Sequence, residues 1–151
     1  MSRPEKPFVL LVDDNEATCT LVTAILHREF NIEIASDGVE ALDRLKTGNY
    51  AAILLDLRMP QLDGFGVLEY LKANRPEILS KTIVLSAALS AREIAHVKEY
   101  AVCGIIGKPF DVDTLLGAVK TCVGGGSNPL GSVFSSGMLL LLADFLRQKW
   151  L

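Results

Sequence analysis

Ala51-Ala-Ile-Leu-Leu-Asp-Leu-Arg-Met-Pro-Gln-Leu-Asp-Gly64 is the stretch that decides the fold of this chain. An almost wholly apolar run ends on the carboxylate Asp56, and a loop with turn residues follows at once. A short apolar run with such bounds is typical of a strand buried on both faces of a parallel sheet. Ligands of open α/β sheets bind just beyond the carboxyl ends of such strands. Asp56 is therefore either part of a functional site or a cap of the following loop, where Asp is common.

The composition indicates one globular domain, since a chain of 151 residues can bury a sizeable core. Hydrophobic residues make up 50% of the chain, which suits a sheet covered by helices on both faces. The net charge of −3 gives no sign of a nucleic-acid-binding surface. No apolar run approaches the roughly 20 residues of a membrane-spanning helix. Residues 1–7 are too polar and too short for a signal peptide, and we expect them to be disordered.

The cysteines Cys19, Cys103 and Cys122 are odd in number, widely spaced and set in apolar surroundings. This pattern predicts reduced core cysteines in a cytoplasmic protein, rather than a disulfide framework or a metal site. The two histidines, His27 and His96, fall in separate helical patterns without metal-ligand spacing, so we interpret both as ordinary helix residues.

Short apolar runs alternate with helical patterns along the chain. The predicted strands are residues 8–12, 32–35, 51–56, 82–86 and 103–107. Asn15, Ser90 and Asp111 are predicted to begin the first, fourth and fifth helices, and Pro76 to lie just beyond the third helix. Strict alternation of strand and helix predicts an α/β fold with a parallel sheet, and right-handed crossovers bring all strand carboxyl ends to one edge. The units are short and lack a G-x-G-x-x-G turn. They therefore favour the flavodoxin-like, doubly wound (βα)5 sheet with strand order 2-1-3-4-5 over a dinucleotide-binding half.

Polar side chains follow or end four of these strands, so the predicted fold gathers them at one edge. Asp13 and Asp14 follow the first strand, Asp56 ends the third, Ser86 ends the fourth and Lys108 follows the fifth. Three close carboxylates would raise one another's pKa unless a cation lay among them, and an all-oxygen site with open positions suits Mg²⁺. Lys108 would face the same anion as a second cation, and Ser86 would donate a hydroxyl. The set fits a phosphoryl group held at Asp56 better than an acid/base pair or a nucleophilic triad.

These residues resemble the receiver domains of two-component response regulators. The matching pieces are Val12-Asp13-Asp14-Asn15, Asp56-Leu-Arg-Met-Pro60 with Asp63-Gly64, Ser86-Ala87, and Lys108-Pro109-Phe110. Their order and spacing match across residues 8–122, which we take as the receiver domain. Each motif is weak alone, whereas the joint match is highly specific.

The resemblance implies a function for each matching residue. Asp56 would accept a phosphoryl group from a sensor histidine kinase or a histidine phosphotransfer protein. Asp14 and Asp56 would ligate Mg²⁺ directly, Asp13 mainly through water, and the backbone carbonyl of Arg58 would complete the protein ligands. The metal would neutralise charge on the transferring group.

The remaining matches imply a switch rather than an enzyme with turnover, with at most slow autophosphatase activity. Lys108 would bind a phosphoryl oxygen, the Lys108–Pro109 peptide bond would be cis, and Ser86 would move toward the phosphoryl group. Phosphorylation would then bias a protein–protein interaction surface built from the fourth predicted helix, the fifth strand and the fifth helix.

The sequence departs from the family pattern at two positions. Ile105 stands three residues before Lys108, where the family has a switch aromatic, and it has no ring to reorient. Ala88 lies two residues beyond Ser86, leaves Asp56 accessible and offers no group to position a hydrolytic water. We therefore expect altered coupling to the output surface, and faster acceptance of small phosphodonors than self-catalysed hydrolysis.

Three other classes of protein share part of this pattern. A phosphatase of the haloacid-dehalogenase type needs a second Asp two residues after the nucleophile, where this chain has Arg58. A flavin-binding module needs hydroxyl-rich phosphate loops, whereas the loops after Val12 and Leu55 carry acids. A degenerate receiver that acts only as a scaffold would lack part of the acidic set, which is intact here.

Residues 123–151 are predicted to form a Gly-rich linker and an apolar C-terminal helix. They are fewer than the roughly 50 residues of an output domain, and they carry no helix-turn-helix pattern or basic stripe. The predicted helix has one apolar face, formed by Met138, Leu141, Leu142, Phe145 and Leu146. It would pack on a receiver surface of its own chain or of a partner, homodimerisation included. A truncated end and association with a membrane surface are the less favoured alternatives.

Overall fold

The computed structural model describes residues 5–87 and 90–125, in which strands and helices alternate. The strands are β1 (Phe8–Val12), β2 (Asn31–Ala35), β3 (Ala52–Asp56), β4 (Thr82–Ser86) and β5 (Gly104–Gly107). The helices are α1 (Glu16–Leu26), α2 (Gly38–Thr47), α3 (Gly64–Asn74), α4 (Pro76–Leu79), α5 (Ala91–Val97) and α6 (Val112–Val123). All strands are parallel in the order β2-β1-β3-β4-β5, which confirms the predicted flavodoxin-like topology.

Two apolar layers cover the sheet and hold its central strands rigidly. Ile53 and Leu55 of β3 belong to the layer that includes residues of α2, α3 and α5. Ala52 and Leu54 belong to the opposite layer, with residues of α1 and α6. Each buried leucine contributes about 1.5 to 3 kcal/mol relative to an exposed one. The apolar run before Asp56 therefore fixes where that carboxylate lies.

Five of the helices begin at a short polar side chain that accepts a hydrogen bond from a backbone N–H three residues later. The capping residues are Asn15, Asp37, Asp63, Ser90 and Asp111. Such a cap stabilises a helix by about 1 kcal/mol and sets its first residue. The predicted helix starts at Asn15, Ser90 and Asp111 are thus confirmed.

The short helix α4 is an element that the sequence analysis did not predict. Pro76 lies just beyond the end of α3, as predicted, and it also begins α4, at a position where a missing N–H costs nothing. Ile78 and Leu79 of this turn are buried in the core. The fourth and fifth predicted helices are therefore α5 and α6. No helix in the described part of the chain is long and apolar enough to cross a membrane.

The prediction of a disordered N-terminus can be compared with the structure from residue 5 onward. Lys6 and Pro7 are not free: their carbonyls accept hydrogen bonds from the Asn31 side chain at 3.1 Å and its backbone N–H at 2.9 Å. The expected disorder therefore does not extend to these two residues. Residues 1–4 and the predicted C-terminal helix lie outside the described residues.

A disulfide joins Cys103 to Cys122, which corrects the prediction that all three cysteines are reduced. Cys103 precedes β5, and Cys122 lies in the last turn of α6. Their Cα atoms are 6.1 Å apart, within the usual span of a disulfide. The residues are 19 positions apart in the chain, and only the packing of α6 beside β5 brings them together. Cys19 is a free thiol.

Reduction of this disulfide is expected to lower the free energy of unfolding by about 3 kcal/mol, because a crosslink across a loop of this length restricts the unfolded chain. Urea unfolding with and without a dithiol reductant measures the difference. Cys103→Ser with Cys122→Ser should match the reduced chain, whereas Cys19→Ser should keep the response to reductant. Equal unfolding midpoints with and without reductant would contradict the expectation.

Candidate functional site

Asp13, Asp14 and Asp56 form an acidic cluster at the carboxyl edge of the sheet. One carboxylate oxygen of each lies within 4.8 Å of those of the other two. β1 and β3 are neighbours, so the residue after β1 and the last residue of β3 come side by side. Asp13 and Asp56 are buried, with 1% and 7% of their surface exposed, while Asp14 is exposed. The structure thus brings together the carboxylates that the strand ends predicted.

Lys108 reaches this acidic cluster from β5. Its Nζ donates to Oδ2 of Asp13 at 2.7 Å and lies 3.6 Å from Oδ2 of Asp56. The backbone N–H of Lys108 donates to the carbonyl of Ser86 at 2.8 Å, which joins the two strand ends. Ser86 is buried, and the Lys108–Pro109 peptide bond is cis. One lysine facing three carboxylates leaves a net negative charge, which suits a divalent cation.

The electrostatics of Asp56 reflect this crowding. Burial first, and then the charge of Asp13, raises the pKa of Asp56 to about 6. Lys108 and the backbone N–H of Arg58 lower the pKa but do not cancel the increase. The ionised Asp56 carboxylate is therefore held at a cost in free energy near neutral pH, and a cation bound beside it would relieve that cost.

Asp56 also caps the following loop, which was the alternative interpretation of this residue, but only one of its carboxylate oxygens does so. Oδ1 of Asp56 accepts the backbone N–H of Arg58 at 3.3 Å. In the same way, Oδ1 of Asp13 accepts the N–H of Asn15 at 2.9 Å. The hydrogen bonds to the loop thus hold both carboxylates in one orientation. In that orientation, the second oxygen of each carboxylate, Oδ2, faces Lys108.

Gly64 explains why the Asp63-Gly64 pair belongs to the motif. Its N–H donates to the carbonyl of Leu57 at 3.0 Å, which closes the loop after β3. A Cβ at Gly64 would collide with the backbone carbonyl of Asp56 and the Cα of Leu57. Only glycine lets α3 begin this close to the end of β3, so the residue fixes the loop that contains Arg58.

Of the two departures from the family pattern, Ile105 lies in the described part of the chain and Ala88 does not. Ile105 is 1% exposed and belongs to the same apolar cluster as Ile94 and Val97 of α5. It is a fixed part of the core beneath that helix. Ala88 lies outside the described residues, so its expected effect on hydrolysis stays a prediction.

Glu93 is a residue near this site that the sequence analysis missed. Its Oε1 pairs with Nη2 of Arg58 at 2.8 Å, which joins α5 to the loop after β3. Ser90-Ala-Arg-Glu93 has the pattern of a capping box, and the Glu93 N–H does donate to the Ser90 hydroxyl. That pattern indicates a helix start, but it gives no sign of an ion pair with a residue 35 positions away.

Cys19 is a second residue whose position was not predicted. Its Sγ donates to the backbone carbonyl of Asp13 at 3.5 Å. With Asp13, Asp14 and Ile34 it lines a cavity of about 310 Å³ beside the acidic cluster. Burial, reinforced by the Asp13 carboxylate, raises the pKa of the Cys19 thiol. The residue is therefore a protonated neighbour of the cluster rather than a thiolate ligand.

A family model for the response regulator receiver domain matches residues 9–120. The chain belongs to this family. The match covers the acidic cluster and Lys108, so the fold, the site and the family agree on one class of protein. The resemblance drawn from the motifs is thereby confirmed.

Two curated relatives are considerably longer than this chain. It is 29% identical over 108 residues to the transcriptional regulatory protein ZraR of Escherichia coli K12, covering 71% of this chain and 24% of ZraR. It is 31% identical over 113 residues to the response regulator MprA of Mycobacterium sp. strain KMS, covering 74% of this chain and 48% of MprA. The chain therefore spans less than half the length of either relative.

Solved receiver domains share the fold of this chain. The receiver domain of a Francisella response regulator is 29% identical, with a TM-score of 0.73 over 80% of this chain and 98% of that one. The receiver domain of a sensor histidine kinase from Pseudomonas aeruginosa PAO1 is 25% identical, with a TM-score of 0.72 over 80% and 99% of the two chains. That second domain is described with a magnesium ion coordinated in its active site cleft.

The raised pKa of Asp56 predicts a pH-dependent stability of the metal-free chain. A folded-state value of about 6, against an ordinary 3.8, gives a stabilising contribution that is complete below about pH 4 and is lost as the pH rises through about 6. Asp56→Asn cannot ionise, so it is expected to stabilise the chain in EDTA by about 1 to 3 kcal/mol at pH 8, and by less at pH 5. Urea unfolding at the two pH values measures this.

The matched control is Asp63→Asn, which removes a carboxylate from the same loop while keeping an oxygen that can cap α3. It should change the free energy of unfolding at pH 8 far less than Asp56→Asn does. A gain for Asp56→Asn that is the same at pH 5 and pH 8 would show that the Asp56 carboxyl does not titrate between them.

Proposed function

We propose that this receiver domain accepts a phosphoryl group on Asp56, from the phosphohistidine of a sensor histidine kinase or a histidine phosphotransfer protein. The observation that carries the proposal is the position of Asp56, a buried carboxylate at the end of β3. Oxygens of Asp13 and Asp14 lie within 4.8 Å of it, and the Lys108 ammonium lies 3.6 Å away. Phosphoryl transfer needs such positioned charges more than it needs an acid or a base.

The same residues fit a bound Mg²⁺. Asp13, Asp14, Asp56 and the backbone carbonyl of Arg58 would hold the ion, with water completing its coordination. Oxygen is the only donor type in this set. Burial and the charge of Asp13 raise the pKa of Asp56, so a bound cation would stabilise its ionised form. When bound, the ion supplies charge neutralisation at the transferring phosphoryl group.

The transfer itself exchanges one bond to phosphorus for another. A carboxylate oxygen of Asp56 forms the new P–O bond as the P–N bond of the phosphohistidine breaks, and the electron pair of that bond stays on the imidazole. Lys108 Nζ then binds a phosphoryl oxygen in place of the Asp56 carboxylate, and the Ser86 hydroxyl donates to another. These groups stabilise charge that the phosphoryl group brings with it.

The output of the switch is a protein–protein contact rather than a reaction. The surface formed by α5, β5 and α6 would bind a downstream protein, and phosphorylation would shift the population of its conformations. We place the receiver unit at residues 8–122 and assign residues 123–151 to an interaction segment, homodimerisation included. The proposed setting is the cytoplasm, where a disulfide such as Cys103–Cys122 is uncommon, with neither nucleic acid nor membrane as a partner.

Incubation with Mg²⁺ and a small acyl-phosphate donor is expected to add one phosphoryl group to the chain, because the donor can replace the phosphohistidine at an accessible acidic site. Intact-mass spectrometry detects the adduct. Asp56→Asn and an excess of EDTA should each abolish it, since one removes the acceptor and the other the cation. Asp63→Asn, in the same loop, should still be phosphorylated.

The other outcomes identify what would replace the proposal. An adduct that survives in Asp56→Asn would place the acceptor elsewhere. Consumption of the donor without an adduct, abolished by Asp56→Asn, would indicate an acyl phosphate that hydrolyses quickly. No adduct and no consumption of the donor would leave a receiver that acts only as a scaffold.

A further inference from the structure

One ion pair crosses from the loop of the acidic site to α5. Arg58 lies two residues after Asp56, and its Nη2 is 2.8 Å from Oε1 of Glu93 in the first turn of α5. The Arg58 side chain is 66% exposed and that of Glu93 is 22% exposed. The backbone of Arg58 is fixed at the other side, since its N–H donates to Oδ1 of Asp56. One residue thus contacts both the proposed phosphoacceptor and α5.

The Glu93 carboxylate depends on Arg58 for its charge compensation. Its second oxygen, Oε2, is buried and accepts no hydrogen bond from the described residues. A partly buried carboxylate oxygen without a hydrogen bond lowers the free energy of unfolding unless a cation is paired with the carboxylate. The contact is therefore more than a chance meeting of two mobile side chains on the surface.

The opposite end of α5 is held on α3 by different side chains. The His96 ring stacks on Phe65, with ring centroids 4.3 Å apart and planes 13° from parallel. The Tyr100 hydroxyl donates to Glu69, and the Lys72 ammonium lies 5.6 Å from the centre of the Tyr100 ring. These contacts anchor the end of α5 remote from the site, so a change at Glu93 acts on the first turn of the helix.

We propose that Glu93 is a positioning residue for the metal and phosphoryl site, and that it acts through the Arg58 side chain. The inference rests on the proposed function, in which the Arg58 backbone carbonyl is a metal ligand. By holding the guanidinium, Glu93 restricts the loop from which that carbonyl would reach the ion. Energetic coupling between two sites is reciprocal, so occupation of the site must in turn bias the first turn of α5.

The first measurement is the affinity of the full chain for Mg²⁺ alone, by titration calorimetry. Glu93→Gln keeps the shape of the side chain and removes its charge. It is expected to weaken Mg²⁺ binding about two- to fivefold, the range that a partly exposed ion pair supports. Glu99→Gln removes the same charge from an exposed position just beyond α5 and should leave the affinity unchanged. The titrations are done in about 0.15 M salt, because interactions between exposed charges more than about 8 Å apart are then largely screened.

A double-mutant cycle separates the action through Arg58 from a general field effect. Arg58→Ala retains the backbone carbonyl and removes the partner of Glu93. If Glu93 acts through Arg58, adding Glu93→Gln to Arg58→Ala changes the Mg²⁺ affinity no further. Urea unfolding of each variant shows whether the fold is retained, and a purely structural function of Glu93 would change unfolding without changing Mg²⁺ affinity.

Hydrogen exchange of residues 91–97 tests the reciprocal effect. Mg²⁺ with beryllofluoride, which mimics a phosphoryl group on a carboxylate, is expected to raise amide protection in the first turn of α5. Glu93→Gln should reduce that gain while protection of the loop after β3 still responds. Glu99→Gln should behave like the unmodified chain.

Each alternative outcome has a definite meaning. Equal Mg²⁺ affinities for Glu93→Gln and the unmodified chain would overturn this inference alone. An equal loss on adding Glu93→Gln to Arg58→Ala would overturn the action through Arg58. If the unmodified chain binds neither Mg²⁺ nor beryllofluoride, the proposed function fails, and this inference fails with it.

Discussion

The burial of two neighbouring carboxylates, Asp13 and Asp56, at one edge of the sheet is the constraint on which the rest of the structure depends. β1 and β3 are buried on both faces, so Asp13 and Asp56 cannot move apart without exposing apolar strands. Burial, and then the charge of Asp13, raises the pKa of Asp56 to about 6, and Lys108 offsets only part of this increase. The ionised Asp56 carboxylate lowers the free energy of unfolding, and packing in the two apolar layers must compensate for this loss. Such an exchange of stability for binding is typical of functional sites.

The parts of the fold that could be predicted from the sequence have causes close together in the chain. The apolar run before Asp56 predicted a buried strand, and the side chains of Asn15 and Ser90 predicted helix starts because each cap bonds a nearby N–H. The handedness of strand–helix–strand crossovers then placed all the strand ends at one edge. The acidic cluster followed from topology alone, since only the strand order is needed to bring Asp13 beside Asp56.

The features that were not predicted depend on packing or on competing local signals. Pro76 follows α3 and also begins α4, and the second helix depends on the burial of Ile78 and Leu79. The disulfide and the Arg58–Glu93 pair join residues 19 and 35 positions apart. Neither has a local pattern, because the direction of a side chain on α5 or α6 is set by how that helix packs on the sheet. Positions of this kind require a structure.

Ile105 stands where the resemblance implies a switch aromatic, so the proposed response to phosphorylation would have to use contacts other than those of this rigidly packed side chain. Ile105, Ile94 and Val97 lie in one close-packed cluster, and a packed aliphatic core does not deform gradually. An aromatic ring could signal by leaving or entering a cavity, but a buried aliphatic side chain in such a cluster has no comparable alternative position. Polar contacts at the rim can change partners at small cost, because water replaces the lost hydrogen bonds. Under the proposed function, charge at the edge of α5 would therefore be a more economical carrier of the signal than repacking beneath it.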